Sequence, residues 1–194
     1  MAALLGILRP LQFVNDHILR LGRGFAVIAI ALMVVCILVQ VFMRYVINNA
    51  LPWPEEAARF LMLWMTGLIA PSAYRRGGFV AIDTLTITLP PRAAAALSLV
   101  LLFLATIVLV VGLQLGLKHV KSGWLFASSS LYLPLEVIGQ KGFKIKLAWM
   151  YLSLYVGLIL LLVVNIELIL RSLVTMLGGE DRLRPLMDSE LRVE

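Results

Sequence analysis

Long stretches without a charged side chain constrain this sequence more than any other feature. The clearest, from Ala93 to Leu117, contains no Asp, Glu, Lys or Arg, and its roughly 25 residues would form a helix about 37 Å long. That length exceeds the hydrocarbon core of a bilayer, which is about 30 Å thick, so we expect a tilted transmembrane helix. Of the 194 residues, 61% are hydrophobic and 14% are charged, which excludes a self-contained soluble enzyme.

Comparable apolar stretches predict four transmembrane helices in one membrane domain that covers residues 1–194. The spans are expected at residues 24–45, 53–74, 92–117 and 147–172. Arginines precede the first span, as in a signal peptide, but its apolar run is longer than the usual run of about 7–15 residues. We therefore expect this span to be retained. The predicted fold class is an all-α integral membrane protein.

The segments outside these spans differ in character. Residues 3–22 place apolar side chains at helical spacing opposite a charged face that includes Asp16, which predicts an N-terminal amphipathic helix at the membrane surface. The loop at residues 118–146 is too polar to cross the bilayer, and we expect it to be interfacial or packed on a partner. The tail at residues 178–194 begins with a glycine pair that can end a helix, and it is expected to be mobile.

Charge gives a weak signal for orientation. The net charge is +6, an excess that serves topology and anionic headgroups in a membrane protein, so we discount nucleic acid as a partner. We expect both termini in the cytoplasm, because this orientation places 10 of the 17 Lys and Arg residues inside and 7 outside,. All the lysines, however, fall in one predicted outer loop and argue locally against this orientation.

The segment at residues 44–83 carries more charge and turn chemistry than its surroundings. Pro54 suits a first helical turn, because a helix start does not need its backbone N–H. Glu55 and Glu56 then lie at the positive end of the helix dipole, and Arg59 follows Glu55 by one turn,. One interpretation is a well-capped helix that enters the membrane. The alternative is an ionic contact with a partner subunit or with Arg44, because charges at a membrane boundary usually need an opposite charge.

The end of the second predicted span is also basic. Arg75 and Arg76 complement the negative end of the helix, and Gly77 permits a tight exit from it,. Asp83 follows shortly afterwards. A basic pair that sets topology, followed by a glycine turn, accounts for most of this pattern.

Taken in order, these residues resemble a family motif. Arg-Tyr, Asn-Asn, Pro-Trp-x-Glu-Glu-x-x-Arg, a further Trp, Arg-x-Gly and a downstream Asp look like the small Q-type membrane subunit of tripartite ATP-independent periplasmic (TRAP) transporters. The motif covers residues 44–83, and the length and four-span layout agree over the whole chain. The matching positions, which are candidate subunit-interface or structural residues, are Arg44, Asn48, Trp53, Glu55, Glu56, Arg59, Trp64, Arg75, Arg76, Gly77 and Asp83.

The resemblance implies a small scaffold subunit of a secondary, sodium-coupled importer of an organic carboxylate anion in the bacterial inner membrane. In such systems a large multi-span membrane subunit carries the substrate and sodium sites, and a periplasmic substrate-binding protein delivers the anion. The resemblance implies no enzyme activity and no cofactor. Five residues then become candidate contacts for the periplasmic protein, with lipid headgroups as the alternative: Lys118, Lys121, Lys141, Lys144 and Lys146.

Two other classes of membrane protein are alternatives. An anchor subunit of a redox enzyme would hold a haem between two histidines, but His17 and His119 fall on opposite faces of the membrane with the predicted spans. A small multidrug exporter would need a carboxylate deep in the first span, and residues 24–45 contain none. One cysteine and two histidines are too few for a disulfide framework or a local zinc site, so no metal site is predicted.

Overall fold

The computed structural model describes residues 2–77, 90–133 and 143–179, together with Leu183. Within these ranges it contains four helices and two short strands: α1 (Ala2–Tyr45), α2 (Trp53–Arg75), α3 (Pro91–Gly123), β1 (Ala127–Leu133), β2 (Phe143–Lys146) and α4 (Ala148–Met176). This mostly helical architecture agrees with the predicted all-α fold class. Most of the predicted mobile tail at residues 178–194 lies outside the described residues.

Three of the described helices are long and apolar enough to cross a membrane. These segments are Gly6–Tyr45 of α1, Ala93–Gly123 of α3 and Ala148–Met176 of α4. Helix α2 is the least apolar, because it has acidic residues in its first turn and a basic residue in its last turn. Its 23 residues nevertheless correspond to about 34 Å of helix, which is long enough for the hydrocarbon core.

Helix α1 is continuous, which differs from the predicted division into a surface helix at residues 3–22 and a span at residues 24–45. It has 44 residues and an axial length of about 66 Å. Gly22 and Gly24 do not interrupt it, because glycine weakens a helix without excluding helical dihedral angles. The amphipathic segment is therefore the first part of the same helix that contains the first predicted span.

A buried stripe accounts for the continuity of α1. Its members alternate spacings of four and three residues, which is the heptad spacing of paired helices. Other residues of the predicted apolar face, including Val14 and Leu21, lie outside this stripe and are exposed. Packing of one uninterrupted stripe against the other helices favours a single helix over two. The stripe consists of Leu8, Gln12, Asn15, Leu19, Gly22, Ala26 and Ala29.

Helix α4 is the common neighbour of the other three. Helix α1 packs on α2 and reaches α4, while α2 and α3 both pack on α4. The α2 and α4 backbones approach closely where two glycines meet. A Cβ atom built on Gly67 would lie 2.5 Å from the Ser153 carbonyl oxygen, and one built on Gly157 would lie 2.9 Å from the Gly67 Cα. Both distances are far inside van der Waals contact, so this crossing requires glycine on both helices.

Glycine also ends α4, as predicted from the glycine pair that begins the tail. Gly178 has a φ angle of 76°, in the left-handed region that glycine adopts without steric cost. The Gly179 amide then donates to the Val174 carbonyl oxygen at 2.9 Å, which satisfies a carbonyl group that the helix leaves free.

The loop between α3 and α4 contains a β-hairpin that the sequence interpretation missed. Strands β1 and β2 pair in antiparallel fashion. At the base of the hairpin, the Leu147 amide donates to the Phe126 carbonyl oxygen at 3.1 Å, and the Trp124 and Trp149 rings lie 6.3 Å apart. The sequence of β1, ASSSLYL, shows no regular alternation of apolar and polar residues, so no strand was predicted.

The Gly67 crossing predicts a matched pair of stability effects. Gly67→Ala should destabilise the protein by about 1–3 kcal/mol, because the new methyl group would overlap the α4 backbone, which cannot rotate away. Gly24→Ala is the control, since no atom lies within 4 Å of a Cβ built at that position. Thermal unfolding of the purified protein in detergent, followed by tryptophan fluorescence, should show a lower midpoint for Gly67→Ala alone. Equal midpoints for the two variants would contradict the close crossing.

Candidate functional site

A buried carboxylate joins three helices at the end of the bundle where α2 ends. Glu167 of α4 is 0% exposed. One of its oxygens accepts hydrogen bonds from Arg75 Nη2 at 2.7 Å and Arg75 Nε at 3.2 Å. The other oxygen accepts a hydrogen bond from Asn15 Nδ2 of α1 at 2.6 Å. Arg75 also forms an ion pair with Asp16 of α1. We call these four residues the inner cluster.

A second polar side chain of α4, two residues before Glu167, connects α4 to α2 and α3. Asn165 is 0% exposed, and its oxygen accepts a hydrogen bond from the Tyr74 hydroxyl of α2. Its amide nitrogen donates to Thr106 Oγ1 at 2.7 Å and to the Leu102 carbonyl oxygen at 3.1 Å, both on α3. Asn165 and Glu167 of α4 therefore contact α1, α2 and α3 between them.

The geometry of the inner cluster satisfies the physical requirement for burying charge. A carboxylate removed from water loses several kcal/mol of solvation unless a close opposite charge and hydrogen bonds replace the solvent. Here the Arg75 guanidinium, 10% exposed, supplies both. Arg171, one turn after Glu167, also interacts electrostatically with this group. The chemistry is that of a fixed ionic cross-link between helices.

The opposite end of α2 carries the predicted glutamate pair, and the two side chains have different surroundings. Glu55 forms the expected ion pair with Arg59 on the surface of the helix. Glu56 turns towards the hairpin, where its carboxylate accepts hydrogen bonds from the side chains of Ser128 and Ser130. Among the described residues, the hydrogen-bond donors to Glu56 are therefore neutral hydroxyl and amide groups of the same chain.

The other motif residues from Arg44 to Trp64 have local structural roles. Arg44 lies over the Tyr45 ring, 5.9 Å from its centroid. Asn48 has a φ angle of 54°, a left-handed conformation that asparagine tolerates better than most residues. Trp53 begins α2 and is 42% exposed. The Trp64 and Phe60 rings are neighbours, with 6.4 Å between their centroids.

At the C-terminal end of α2, the structure gives different roles to the two arginines of the basic pair. The Arg75 side chain is 10% exposed and lies in the inner cluster, whereas Arg76 is exposed and caps the helix. Gly77 has a φ angle of 78°, which agrees with the predicted tight exit. Asp83 lies outside the described residues.

The predicted lysine surface is described in part. Lys118 and Lys121 are exposed near the end of α3, and Lys144 is exposed on β2. Lys146 lies over the Trp124 ring, with its Nζ atom 5.2 Å from the centroid. Lys141 lies outside the described residues. The described lysines therefore surround the junction of α3, the hairpin and α4.

The structure separates a motif that is continuous in sequence. Glu56 and Arg75 lie near opposite ends of α2, about 28 Å apart along the axis, so these residues belong to two clusters. The partners of Glu56 and Arg75 were not predicted as site residues. Asn165 and Glu167 stand out in the sequence because they are polar residues in an apolar span. Their sequence spacing does not indicate which distant residues they contact. The missed residues of these polar networks and of the neighbouring Asn165 network are Asn15, Asp16, Tyr74, Thr106, Ser128, Ser130, Asn165 and Glu167.

The two histidines also lie far apart. The His119 ring contacts the Tyr151 ring at the start of α4, whereas His17 follows Asp16, whose partner Arg75 binds Glu167. Tyr151 and Glu167 are separated by about 24 Å of helix. Among the residues that the structure describes, no group of three or more His, Cys, Asp and Glu side chains could hold a metal ion.

Comparison with known families agrees with the motif and the helical layout. The family model of the DctQ component of tripartite ATP-independent periplasmic transporters matches residues 33–175, which include α2, α3, the hairpin and most of α4. The chain belongs to the DctQ component family. This finding confirms the resemblance noted from the motif. The comparison with curated proteins found no match.

Family membership defines the general role of the protein. The DctQ family is a component of TRAP transporters, so the chain is a transporter component and not an enzyme by family. Its apolar helices and its family together indicate a multi-pass membrane protein. A large membrane subunit and a periplasmic binding protein are the partners that a tripartite system implies.

The inner cluster predicts that substitution of Arg75 lowers stability more than substitution of the exposed Arg59. Arg75→Met should destabilise the protein by about 3–5 kcal/mol, because it leaves the buried Glu167 carboxylate without its charged partner. The matched control Arg59→Met removes an exposed i, i+4 pair and should have a much smaller effect. Thermal unfolding of the purified variants measures both effects.

A double variant provides a second check. Arg75→Met/Glu167→Leu removes both buried charges and should recover much of the stability lost in Arg75→Met, because an apolar pair of similar volume needs no ionic partner. If the double variant is less stable than Arg75→Met, the carboxylate is not the source of the loss.

Proposed function

We propose that this chain is the small scaffold subunit of a sodium-coupled TRAP transporter that imports an organic carboxylate anion, and that it braces the large transport subunit. The observation that carries this proposal is the internal pairing of buried charge. Glu167 and Arg75 are bound by residues of the same chain, and Glu56 is bound by its own hairpin. These charged groups are occupied as structural links, so they support a brace and not a transport site.

The distribution of polar groups along the helices also favours a scaffold. Transport sites for ions and charged solutes usually combine polar groups or broken helices near the membrane midplane. In this chain, α1, α3 and α4 are unbroken helices, and the inner cluster lies where α2 ends. Sodium and substrate are therefore assigned to the large subunit. The carboxylate class of the substrate rests on the family.

Co-purification tests this function directly. A tagged chain, extracted from its native membrane in mild detergent, should recover a large multi-span membrane protein in stoichiometric amount. Recovery of a haem protein or flavoprotein in its place would support the anchor subunit of a redox enzyme and overturn the proposal.

A charge exchange in the same experiment tests the exposed pair of α2 as a subunit contact. Glu55→Arg/Arg59→Glu keeps an i, i+4 ion pair on the helix but reverses the charges that a partner would meet. We expect this variant to lower recovery of the large subunit by more than Glu55→Gln/Arg59→Gln does. Equal recovery from the two double variants would exclude an ionic contact at this position.

We further propose four spans, both termini in the cytoplasm and a location in the bacterial inner membrane. The N-terminal part of α1 and the ends of α2 and α4 lie together and carry several arginines. The positive-inside rule favours the cytoplasm for this end. Helix α2 then crosses as the least apolar span, with its charges near the two surfaces. The arginines are Arg9, Arg20, Arg23, Arg75, Arg76 and Arg171.

Cysteine labelling of intact cells tests this orientation. In a Cys36→Ser background, Ala50→Cys and Leu125→Cys should react with an impermeant thiol reagent from the periplasm. Both positions are exposed, and Leu125 is 82% exposed. Gly6→Cys should react only after the membrane is permeabilised. Labelling of Gly6→Cys in intact cells, with protection of the other two positions, would invert the topology.

The lysines of the outer end support a further part of the proposal. We assign Lys118, Lys121, Lys141, Lys144 and Lys146 to a basic outer surface that attracts the periplasmic binding protein. Clustered charge accelerates encounter by long-range steering, and this effect weakens beyond a Debye length of about 8 Å at physiological salt. The described side chains Lys118, Lys121 and Lys144 are exposed at this end, in agreement with such a role.

A further inference from the structure

The β-hairpin contains an irregularity at the position where it meets α2. Ala127 pairs with Lys146, and Tyr132 pairs with Lys144. Residues 128–131 of β1 are therefore opposite Ile145 alone on β2. A bulge of this size interrupts the ladder, so the backbone donors within it need partners outside the sheet.

The carboxylate of Glu56 supplies acceptors for that bulge. Its Oε1 atom accepts a hydrogen bond from Ser128 Oγ at 2.5 Å. Its Oε2 atom accepts hydrogen bonds from the Ser130 amide at 2.9 Å and from the Ser130 hydroxyl. The Leu131 amide donates to Ser128 Oγ at 2.9 Å, which extends the network by one residue. Ser128 is 3% exposed, so little water competes for these bonds.

We infer that Glu56 is a positioning residue that holds the β1 bulge against the start of α2 and so fixes the outer hairpin on the bundle. The adjacent Glu55 does not share this role, because successive helical residues point about 100° apart and Glu55 pairs with Arg59 on the surface. The two neighbouring carboxylates thus act differently: Glu55 forms a surface pair, and Glu56 orders a distant segment of the same chain.

Among the described residues, other contacts hold the hairpin mainly at its base. Its base is fixed by the Leu147 amide bond to the Phe126 carbonyl oxygen and by the packing of Lys146 on Trp124. These contacts hold the ends of the strands near α3 and α4. Glu56 connects the middle of β1 to α2, which also contacts this strand. Without Glu56, the base remains attached, but the hairpin loses its ionic hydrogen bonds to α2.

The position of the bulge also affects the basic outer surface. Lys144 pairs directly with Tyr132, immediately after the bulge, so the position of the bulge sets where this lysine is presented. This consequence rests on the proposed docking of the periplasmic binding protein. The positioning role itself does not depend on that docking.

Hydrogen exchange measured by mass spectrometry on the assembled complex tests the positioning role. Glu56→Ala should increase exchange in the peptide containing residues 127–133 by about tenfold or more, because hydrogen bonds to a charged group contribute more than neutral ones. The matched control Glu55→Ala should leave this peptide unchanged. Peptides from the middle of α4 should keep their protection in both variants, which reports that the bundle is folded. Equal exchange of residues 127–133 in the two alanine variants would overturn the inference.

A second variant tests whether the effect passes through the bulge. Ser130→Ala removes one hydroxyl bond to Glu56 but keeps the amide bond, so its increase in exchange should be smaller than that of Glu56→Ala. Glu56→Ala/Ser130→Ala should show no more exchange than Glu56→Ala alone. Additive increases in exchange would mean that Glu56 and Ser130 act independently, which would contradict a shared hydrogen-bonded contact.

Uptake assays separate this inference from the docking proposal. Lys141→Glu/Lys144→Glu should raise the concentration of binding protein required for half-maximal uptake, with a larger increase at low salt. If hairpin exchange increases in Glu56→Ala while the lysine variant transports normally, the positioning role stands and the docking proposal fails. If the lysine variant is impaired while Glu56→Ala leaves hairpin exchange unchanged, the docking proposal stands and the positioning role fails.

Discussion

The ion pair between Glu167 and Arg75 is the interaction on which the packing of this bundle depends most strongly. A carboxylate within an apolar bundle must have a positive partner at hydrogen-bond distance, since neither lipid nor aliphatic side chains replace its solvation. Glu167 therefore restricts where α2 can end relative to α4. Asn15 and Asp16 add the same restriction for α1, because both bind the Glu167–Arg75 pair. Such a cluster need not increase net stability over an apolar core, but it specifies one arrangement of the helices.

Close packing of the helix backbones also stabilises this arrangement of the helices. In a membrane, apolar side chains gain little by leaving lipid for another apolar surface, so helix association depends on fit and on polar links. The paired glycines at residues 67 and 157 let α2 and α4 meet at backbone distance. The heptad stripe of α1 includes small residues such as Gly22 and Ala26. These features complement the ionic cluster, because a close approach places the polar groups within reach of one another.

The two ends of α2 serve different parts of the molecule. Its C-terminal end is bound to α1 and α4 through Arg75, and its N-terminal end is bound to the hairpin through Glu56. A helix held at both ends is consistent with the scaffold role proposed above, because both sets of contacts fix its position relative to the rest of the chain. Its exposed pair, Glu55 and Arg59, is left at the surface, where a partner can contact it. The motif at residues 44–83 therefore combines internal structural roles with a candidate external contact.

The sequence by itself determined the membrane character, the helical segments and the family, because apolar length, proline and glycine positions and the motif are local properties. It also determined the Glu55–Arg59 pair and the glycine exits at Gly77 and Gly178, whose partners lie within a turn. The continuity of α1, the hairpin and the distant partners of Glu56 and Arg75 were decided by tertiary structure. Glu167 lies 92 residues from Arg75, and Ser130 lies 74 residues from Glu56. No local periodicity encodes such pairings, because they exist only when the helices bring desolvated polar groups together.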